Sequence, residues 1–70
     1  MTSTVLAGLL LRQPFQPFRF VLGDNTEVYV RKPEQVKHKP GDRIATVVAE
    51  RGGHESIVDL DFVRLIEVGV

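Results

Sequence analysis

Three pairs of polar residues have types and spacing that could support chemistry. His54 and Ser56 lie two apart on a predicted strand, so a serine nucleophile and a histidine base would share one face. Asp59 and Asp61 have the same spacing, which would suit two carboxylates that act as acid and base or hold a metal ion. His38 and His54 are the chain's two histidines, and imidazole nitrogens bind zinc.

Each pair also has a structural interpretation, which we prefer. No glycine-flanked serine and no oxyanion-hole motif accompanies Ser56, so His54 and Ser56 are typical of polar residues beside an exposed hairpin. Asp59 is well placed to cap a tight turn through its side chain. The two histidines lack the ligand spacing of a zinc site. We therefore predict no catalytic residue, no metal site, no cofactor and no small-molecule substrate.

Basic residues are concentrated in one part of the chain. Residues 31–43 hold five basic and two acidic residues, whereas residues 44–70 hold two basic and five acidic ones. The basic segment could bind phosphates, with a tyrosine beside it to stack on a base. The predicted nucleic-acid contacts are Tyr29, Arg31, Lys32, Lys37 and Lys39. The alternatives are a solvated hairpin surface that protects edge strands, or a basic face that meets the acidic face of a second copy head to tail.

Length and composition predict one small globular domain. The chain has 70 residues, 43% of them apolar, and its formal net charge is zero, so long-range attraction to nucleic acid or to anionic membranes is weak. Because it has no cysteine to form a disulfide, its thin core favours self-association. The apolar run at residues 5–11 is too short to span a bilayer and lacks the flanks of a signal peptide, so we expect a cytoplasmic protein without membrane contact.

The first predicted element of secondary structure is one short N-terminal helix. A hydroxyl at residue 2 or 3 can cap a helix over about residues 3–12, which Pro14 must end. A helix of this length does not persist alone in water, so it has to dock. The segment PFQPF, residues 14–18, is the predicted docking point. The predicted docking stripe is Val5, Leu6, Leu9 and Leu10, with Leu11 on the opposite side.

Short apolar runs with strand periodicity follow, separated by the turn signals GDNT, KPGD and RGGH. A strongly bent sheet that closes on itself would leave few unpaired edges in so short a chain. We therefore predict a mainly β fold with one N-terminal helix. In its finer form the prediction is a five-stranded SH3-like or Sm-like antiparallel barrel, with strands over about residues 18–70, in a single domain over residues 1–70.

Two segments resemble the Sm-like family. FRFVLGDNTEVYV, residues 18–30, resembles the first Sm hairpin, and SIVDLDFVRLIEV, residues 56–68, resembles its closing strand pair. In that family an N-terminal helix precedes a five-stranded bent barrel that assembles into rings. The resemblance therefore implies the same fold and a homo-oligomer, with RNA as a candidate ligand.

The chain also resembles a group of short uncharacterised bacterial proteins. The shared features are a helix with paired leucines, a Pro-Phe-x-Pro-Phe segment, an Asp-Gly turn, a His-Pro-Glu step and a final Ile-Asp-Leu stretch. The corresponding residues of this chain are Leu9-Leu10, Pro14 to Phe18, Asp24-Asn25, Lys32-Pro33-Glu34 and Val58-Asp59-Leu60, with lysine in place of histidine at position 32. This resemblance implies a compact bacterial domain and no particular activity.

Leu11, Val21 and Val70 are apolar residues with no assigned place in so small a core, and a cluster of such exposed residues marks an interface. The predicted interface residues are Val5, Leu9, Leu11, Phe15 and Val70. We therefore expect a non-enzymatic binding or assembly module that acts through protein–protein contacts, as a homo-oligomer or with a protein partner. The alternative is an Sm-like RNA-binding protein that uses the basic segment.

Overall fold

A computed structural model describes all 70 residues, and in it one helix precedes six strands. Helix α1 spans Ser3–Leu11. The Thr2 hydroxyl oxygen accepts a hydrogen bond from the Val5 amide at 3.2 Å, which satisfies one free donor of the first turn. The helix ends at Arg12, where the backbone becomes extended. The predicted helix and its hydroxyl cap are therefore confirmed, and no helix has the length and apolar character needed to cross a bilayer.

Six antiparallel strands form two three-stranded sheets. Their bounds are β1 Phe18–Leu22, β2 Glu27–Val30, β3 Val36–His38, β4 Ile44–Val48, β5 Glu55–Asp59 and β6 Val63–Val68. Sheet I has the strand order β2-β1-β6, and sheet II has the order β3-β4-β5. A 3₁₀ turn over Pro33–Gln35 leads from sheet I to sheet II, and a second over Leu60–Phe62 leads back.

The mainly β class with an N-terminal helix is confirmed, but the strand arrangement differs from the predicted one. We expected five strands in one closed barrel, and the structure has six strands in two separate sheets. The 3₁₀ turn at Pro33 causes part of the difference, because proline has no N–H to donate and the chain leaves sheet I there. No ladder joins the outer strands of sheet I to those of sheet II, so the barrel is not closed.

The predicted turns form where their residues allow. Asn25 adopts a φ of 67° between β1 and β2, and the Asp24 carboxylate accepts a hydrogen bond from the Thr26 amide at 3.0 Å. Gly52 and Gly53 adopt φ values of 81° and 70° between β4 and β5, a region that side-chain-bearing residues rarely occupy. These two hairpins set the strand registers on which the surfaces described below depend.

The hydrophobic core lies between the inner faces of the two sheets. The Phe18 and Phe20 rings meet edge to face at 5.4 Å between centroids, and Phe15 lies 6.0 Å from Phe18. Leu6 is fully buried and joins α1 to this core. Val5 is 52% exposed, so its predicted place on the docking stripe is wrong. The other fully buried apolar side chains are Val30, Ala45, Val47, Val58 and Leu60.

Candidate functional site

The polar pairs that could have supported catalysis have structural environments. His54 and Ser56 are both exposed, and no hydrogen bond joins their side chains. The Asp59 carboxylate accepts a hydrogen bond from the Asp61 amide at 3.0 Å, so its predicted role as a turn cap is confirmed. The same carboxylate lies 3.3 Å from the Arg43 guanidinium. Asp59 therefore stabilises the second 3₁₀ turn and pairs with a cation that immediately precedes β4.

The two histidines lie in different parts of the molecule. Nε2 of His38 is 2.8 Å from the Asp42 carbonyl oxygen and 3.3 Å from the Ser3 hydroxyl. Because a carbonyl only accepts, Nε2 must carry the proton. The Ser3 hydroxyl in turn accepts a hydrogen bond from the Gly41 amide at 2.8 Å, so these contacts tie α1 to the β3–β4 loop. His54 follows the β4–β5 turn, and no three metal-binding side chains are grouped anywhere in the structure.

The predicted nucleic-acid contacts lie on both sheets, and a carboxylate lies beside three of their four cations. Arg31 and Lys32 lie 4.0 and 3.8 Å from the Glu50 carboxylate, and Lys37 lies 3.9 Å from Glu55. Exposed ion pairs of this length contribute little to stability, but they place an acid beside each of these cations. Tyr29 lies on the outer face of sheet I, and Arg31 and Lys32 lie beside Glu50. Lys37 lies in β3, and Lys39 follows the end of that strand. The uneven charge along the chain is thus largely paired within one molecule.

Arg19 is the centre of a polar network on the outer face of sheet I. Its guanidinium lies 2.5 Å from the Glu67 carboxylate and donates to the Tyr29 hydroxyl at 2.8 Å. That hydroxyl donates to Glu27 at 3.1 Å. The hydrogen bonds with Tyr29 and Glu67 raise the pKa of Arg19. Tyr29 is thus held against Arg19, with the guanidinium 5.6 Å from the ring centroid. Sequence reasoning missed the network, although opposite charges on outward positions of neighbouring strands were its signal.

The predicted interface residues have unequal exposure. Leu11 is 77% exposed, and Val5 and Val70 are also exposed. Leu9 and Phe15 are partly buried against the core, so less of their surface is free to bind a partner. Sequence reasoning did not single out a second exposed apolar set on β5, β6 and the turn between them. Its members are Ile57, Phe62, Leu65 and Val68.

Gln35 is the one buried polar side chain, and it joins the two sheets. Its side-chain oxygen accepts hydrogen bonds from the Arg31 amide at 2.7 Å and the Lys32 amide at 3.0 Å. Its side-chain nitrogen donates to the Val48 carbonyl at 2.9 Å. Gln35 therefore holds the end of β2 against the end of β4. Neither its burial nor its partners followed from the pattern of the sequence around it.

A cleft of about 320 Å³ opens beside Gln35, between β2 and the far end of the β4–β5 hairpin. Val28, Val47 and Ala49 supply its apolar lining. The polar residues around it include Arg31, Glu50 and Ser56, the last of which belongs to the pair weighed above for catalysis. Comparison with protein-family models, curated proteins and solved structures finds no match for this chain.

Proposed function

We propose that the protein is a non-enzymatic assembly module that joins copies of itself through the outer strands β5 and β6. The observation that carries the proposal is that each of these strands lies at the edge of its sheet and bears exposed apolar side chains. An edge strand presents unpaired backbone groups that another strand can bind. The resemblance to the Sm-like family supports the same kind of assembly.

The hydrogen-bond pattern identifies which β5 residues face the free edge. The Ala49 amide donates to the His54 carbonyl at 2.7 Å, and the Leu60 amide donates to the Arg43 carbonyl at 2.8 Å. Residues directly opposite each other in an antiparallel ladder alternate between bonded and non-bonded pairs. The even-numbered residues of β5 therefore bond to β4. The backbone groups of Glu55, Ile57 and Asp59 point away from sheet II.

The same reasoning applies to β6. The Gly69 amide donates to the Pro17 carbonyl at 2.8 Å, in register with the β1–β6 ladder. Leu65 and Glu67 therefore bond to β1, and the backbone groups of Ile66 and Val68 point away from sheet I. Each copy would thus offer two different edges, each with two or three residues free to pair.

We propose an antiparallel register in which Ile57 of one copy lies opposite Ile66 of the next. Glu55 then lies opposite Val68, and Asp59 lies opposite Arg64. In this register the residues with free backbone groups on β5 lie opposite those on β6. It also places the Asp59 carboxylate beside the Arg64 guanidinium, and opposite charges at facing positions stabilise a strand pair. Because β5 and β6 are different surfaces, the contact is heterologous and builds a ring or an open filament.

For the fold, we propose that the two sheets are the halves of an SH3-like barrel. β2 and β3, with the Pro33–Gln35 turn between them, would take the place of one bent strand of a five-strand description. The short β4–β5 hairpin would leave the barrel open beside β2, where the cleft lies. A likeness in fold does not by itself carry a function, so the assembly proposal depends on the edges.

Light scattering coupled to size-exclusion chromatography tests the assembly. The wild-type chain should have a mass that is a multiple of 7.8 kDa. Ile57→Lys should lower that mass, because it puts a charge into the contact, whereas Thr4→Lys, an exposed change on α1 away from the predicted interface residues, should not. A wild-type mass of one chain at concentrations of about 1 mM, where even contacts of about 4 kcal/mol form, would contradict the proposal.

RNA binding through the basic segment is the second candidate. Its support is that Arg31, Lys32 and Lys37 keep more than half of their side-chain surface exposed. The acids beside them weigh against it. Binding to phosphates falls steeply with salt because counterions are released. A labelled single-stranded RNA that binds at low salt and dissociates as salt rises would support this function, and no binding at low salt would exclude it.

A further inference from the structure

The edge of β2 carries unpaired backbone groups inside the cleft of about 320 Å³. The Leu22 amide donates to the Thr26 carbonyl at 2.9 Å, which sets the phase of the β1–β2 ladder. By alternation Val28 and Val30 bond to β1, and the backbone groups of Glu27 and Tyr29 point away from sheet I. Neither residue makes another backbone hydrogen bond.

Gln35 ends this free edge. The next residue in the same phase is Arg31, and its amide already donates to the Gln35 side-chain oxygen at 2.7 Å. The Gln35 amide group thus occupies the position that a carbonyl of a neighbouring strand would take. What remains unpaired is a short row of two N–H and two C=O groups, those of Glu27 and Tyr29. Alternating donors and acceptors in a row are the partners of an extended backbone.

We propose that this cleft binds an extended peptide segment of a partner protein, which adds to sheet I as a strand antiparallel to β2. The second wall of the cleft, which includes Ala49, Glu50 and Ser56, argues against a strand that is already part of a folded sheet. Such a strand would bring its own neighbour into that wall. A single extended segment needs only the width of one strand, so the occupant is a peptide rather than a sheet edge of a second copy.

The lining of the cleft predicts the side chains of the peptide. A residue opposite Val28 points to the inner side, where Val47 and Ala49 provide apolar surface. At the Arg31 end two cations, Arg31 and Lys32, face one carboxylate, so an acidic residue is favoured there. In an antiparallel peptide that acidic residue comes first and the apolar residue follows. A basic residue then lies opposite Glu27, as cross-strand pairs of opposite charge prefer.

The test uses the pentapeptide acetyl-Glu-Ser-Thr-Val-Lys-amide. Its valine is intended to lie opposite Val28, and its glutamate lies beyond the last free backbone pair, where it reaches the Arg31 side chain without pairing with the Arg31 amide that Gln35 already holds. Titrated into ¹⁵N-labelled protein, the pentapeptide should shift the amide signals of Glu27 and Tyr29 saturably and slow their hydrogen exchange. N-methylation of the peptide threonine removes an N–H that faces Tyr29, so affinity should fall about tenfold or more. N-methylation of the valine is the matched control, because its N–H points away from β2, and affinity should change less than about threefold.

A protein variant tests the charge preference. Arg31→Ala should weaken the pentapeptide about two- to fivefold, as expected for one exposed ion pair, and Lys37→Ala on the outer face of sheet II should leave affinity unchanged. Equal effects of the two N-methylations, or unmoved Glu27 and Tyr29 signals at several millimolar peptide, would overturn the proposal. It would also be overturned if those signals moved on dilution of the protein alone, which would indicate a second copy in the cleft. A response to single-stranded RNA with none to the peptide would overturn it as well.

Discussion

Removing the Gln35 amide should be among the most destabilising polar changes in this chain. Gln35→Ala deletes an acceptor shared by the Arg31 and Lys32 amides and a donor to the Val48 carbonyl. Gln35 is 9% exposed, so water reaches these backbone groups only partly once the side chain is shortened. A buried donor or acceptor that loses its partner costs more than an exposed one.

The expected loss follows from the three hydrogen bonds. At a net value of about 0.5 to 1.5 kcal/mol each, they sum to about 3 kcal/mol. Domains of this size have total stabilities of roughly 4 to 10 kcal/mol, so the change removes a large share. Since 1 kcal/mol shifts the melting temperature of a domain of this size by about 4 to 8 °C, we expect a decrease of about 12 to 24 °C.

Thermal and urea unfolding followed by circular dichroism measure this loss, at matched protein concentration because assembly would itself raise stability. Glu34→Ala changes the exposed neighbour in the same turn and serves as the control, with an expected effect within about 0.5 kcal/mol. A loss for Gln35→Ala that does not exceed that of Glu34→Ala would refute the view that this side chain holds the two sheets together.

Two further predictions concern the β1–β2 turn. A Cβ at Gly23 would lie 2.7 Å from the Phe62 ring, but that ring is 49% exposed and can shift, so Gly23→Ala should destabilise the protein by no more than about 1 kcal/mol in urea unfolding. A loss of about 2 kcal/mol or more would mean that the Phe62 ring is fixed in place. The hydrogen bond from the Thr26 amide lowers the pKa of Asp24 in the folded protein. The ionised Asp24 carboxylate therefore stabilises the fold at pH values above the ordinary aspartate pKa of about 4, and this stabilisation is lost as the pH falls through the lower pKa of the folded state. NMR titration of the Asp24 carboxyl carbon should show the lowered pKa, and an unshifted pKa would contradict this prediction. Asp24→Asn should remove this part of the acid dependence of unfolding.

Local signals in the sequence predicted much of the secondary structure. The hydroxyl before an apolar run, Asn25 in the first hairpin and the Gly52–Gly53 pair each specify a backbone conformation within a few residues. The helix, both hairpins and the tight turn at Asp59 were predicted for such local reasons. Alternation over residues 18–22 puts Phe18 and Phe20 on one face, and the structure buries both of them. Val21 lies on the opposite face and was left without a place in the core, but it is only 5% exposed.

The arrangement of the strands and the surface could not be predicted in the same way. Whether β2 and β3 belong to one bent strand or to two sheets depends on how the Pro33–Gln35 turn packs against β4, through contacts with Val48 that are distant in sequence. The helix stripe admitted both Val5 and Leu6, and only the docking angle exposes one and buries the other. The basic segment was recognised, but its pairing with Glu50 and Glu55 follows from strand register. The strands that lie at the edges of the sheets can be identified only when the strand order is known.

Hydrogen exchange at the two free edges tests the central claim, that β5 and β6 join copies of this chain. The amides of Ile57 and Ile66 have no backbone partner within one molecule, so they should exchange rapidly in dilute protein and slow together by about tenfold or more as the concentration rises into the assembling range. Val58, which bonds to β4, should be protected throughout. Fast exchange of Ile57 and Ile66 in samples that light scattering shows to be assembled would mean that the copies join elsewhere.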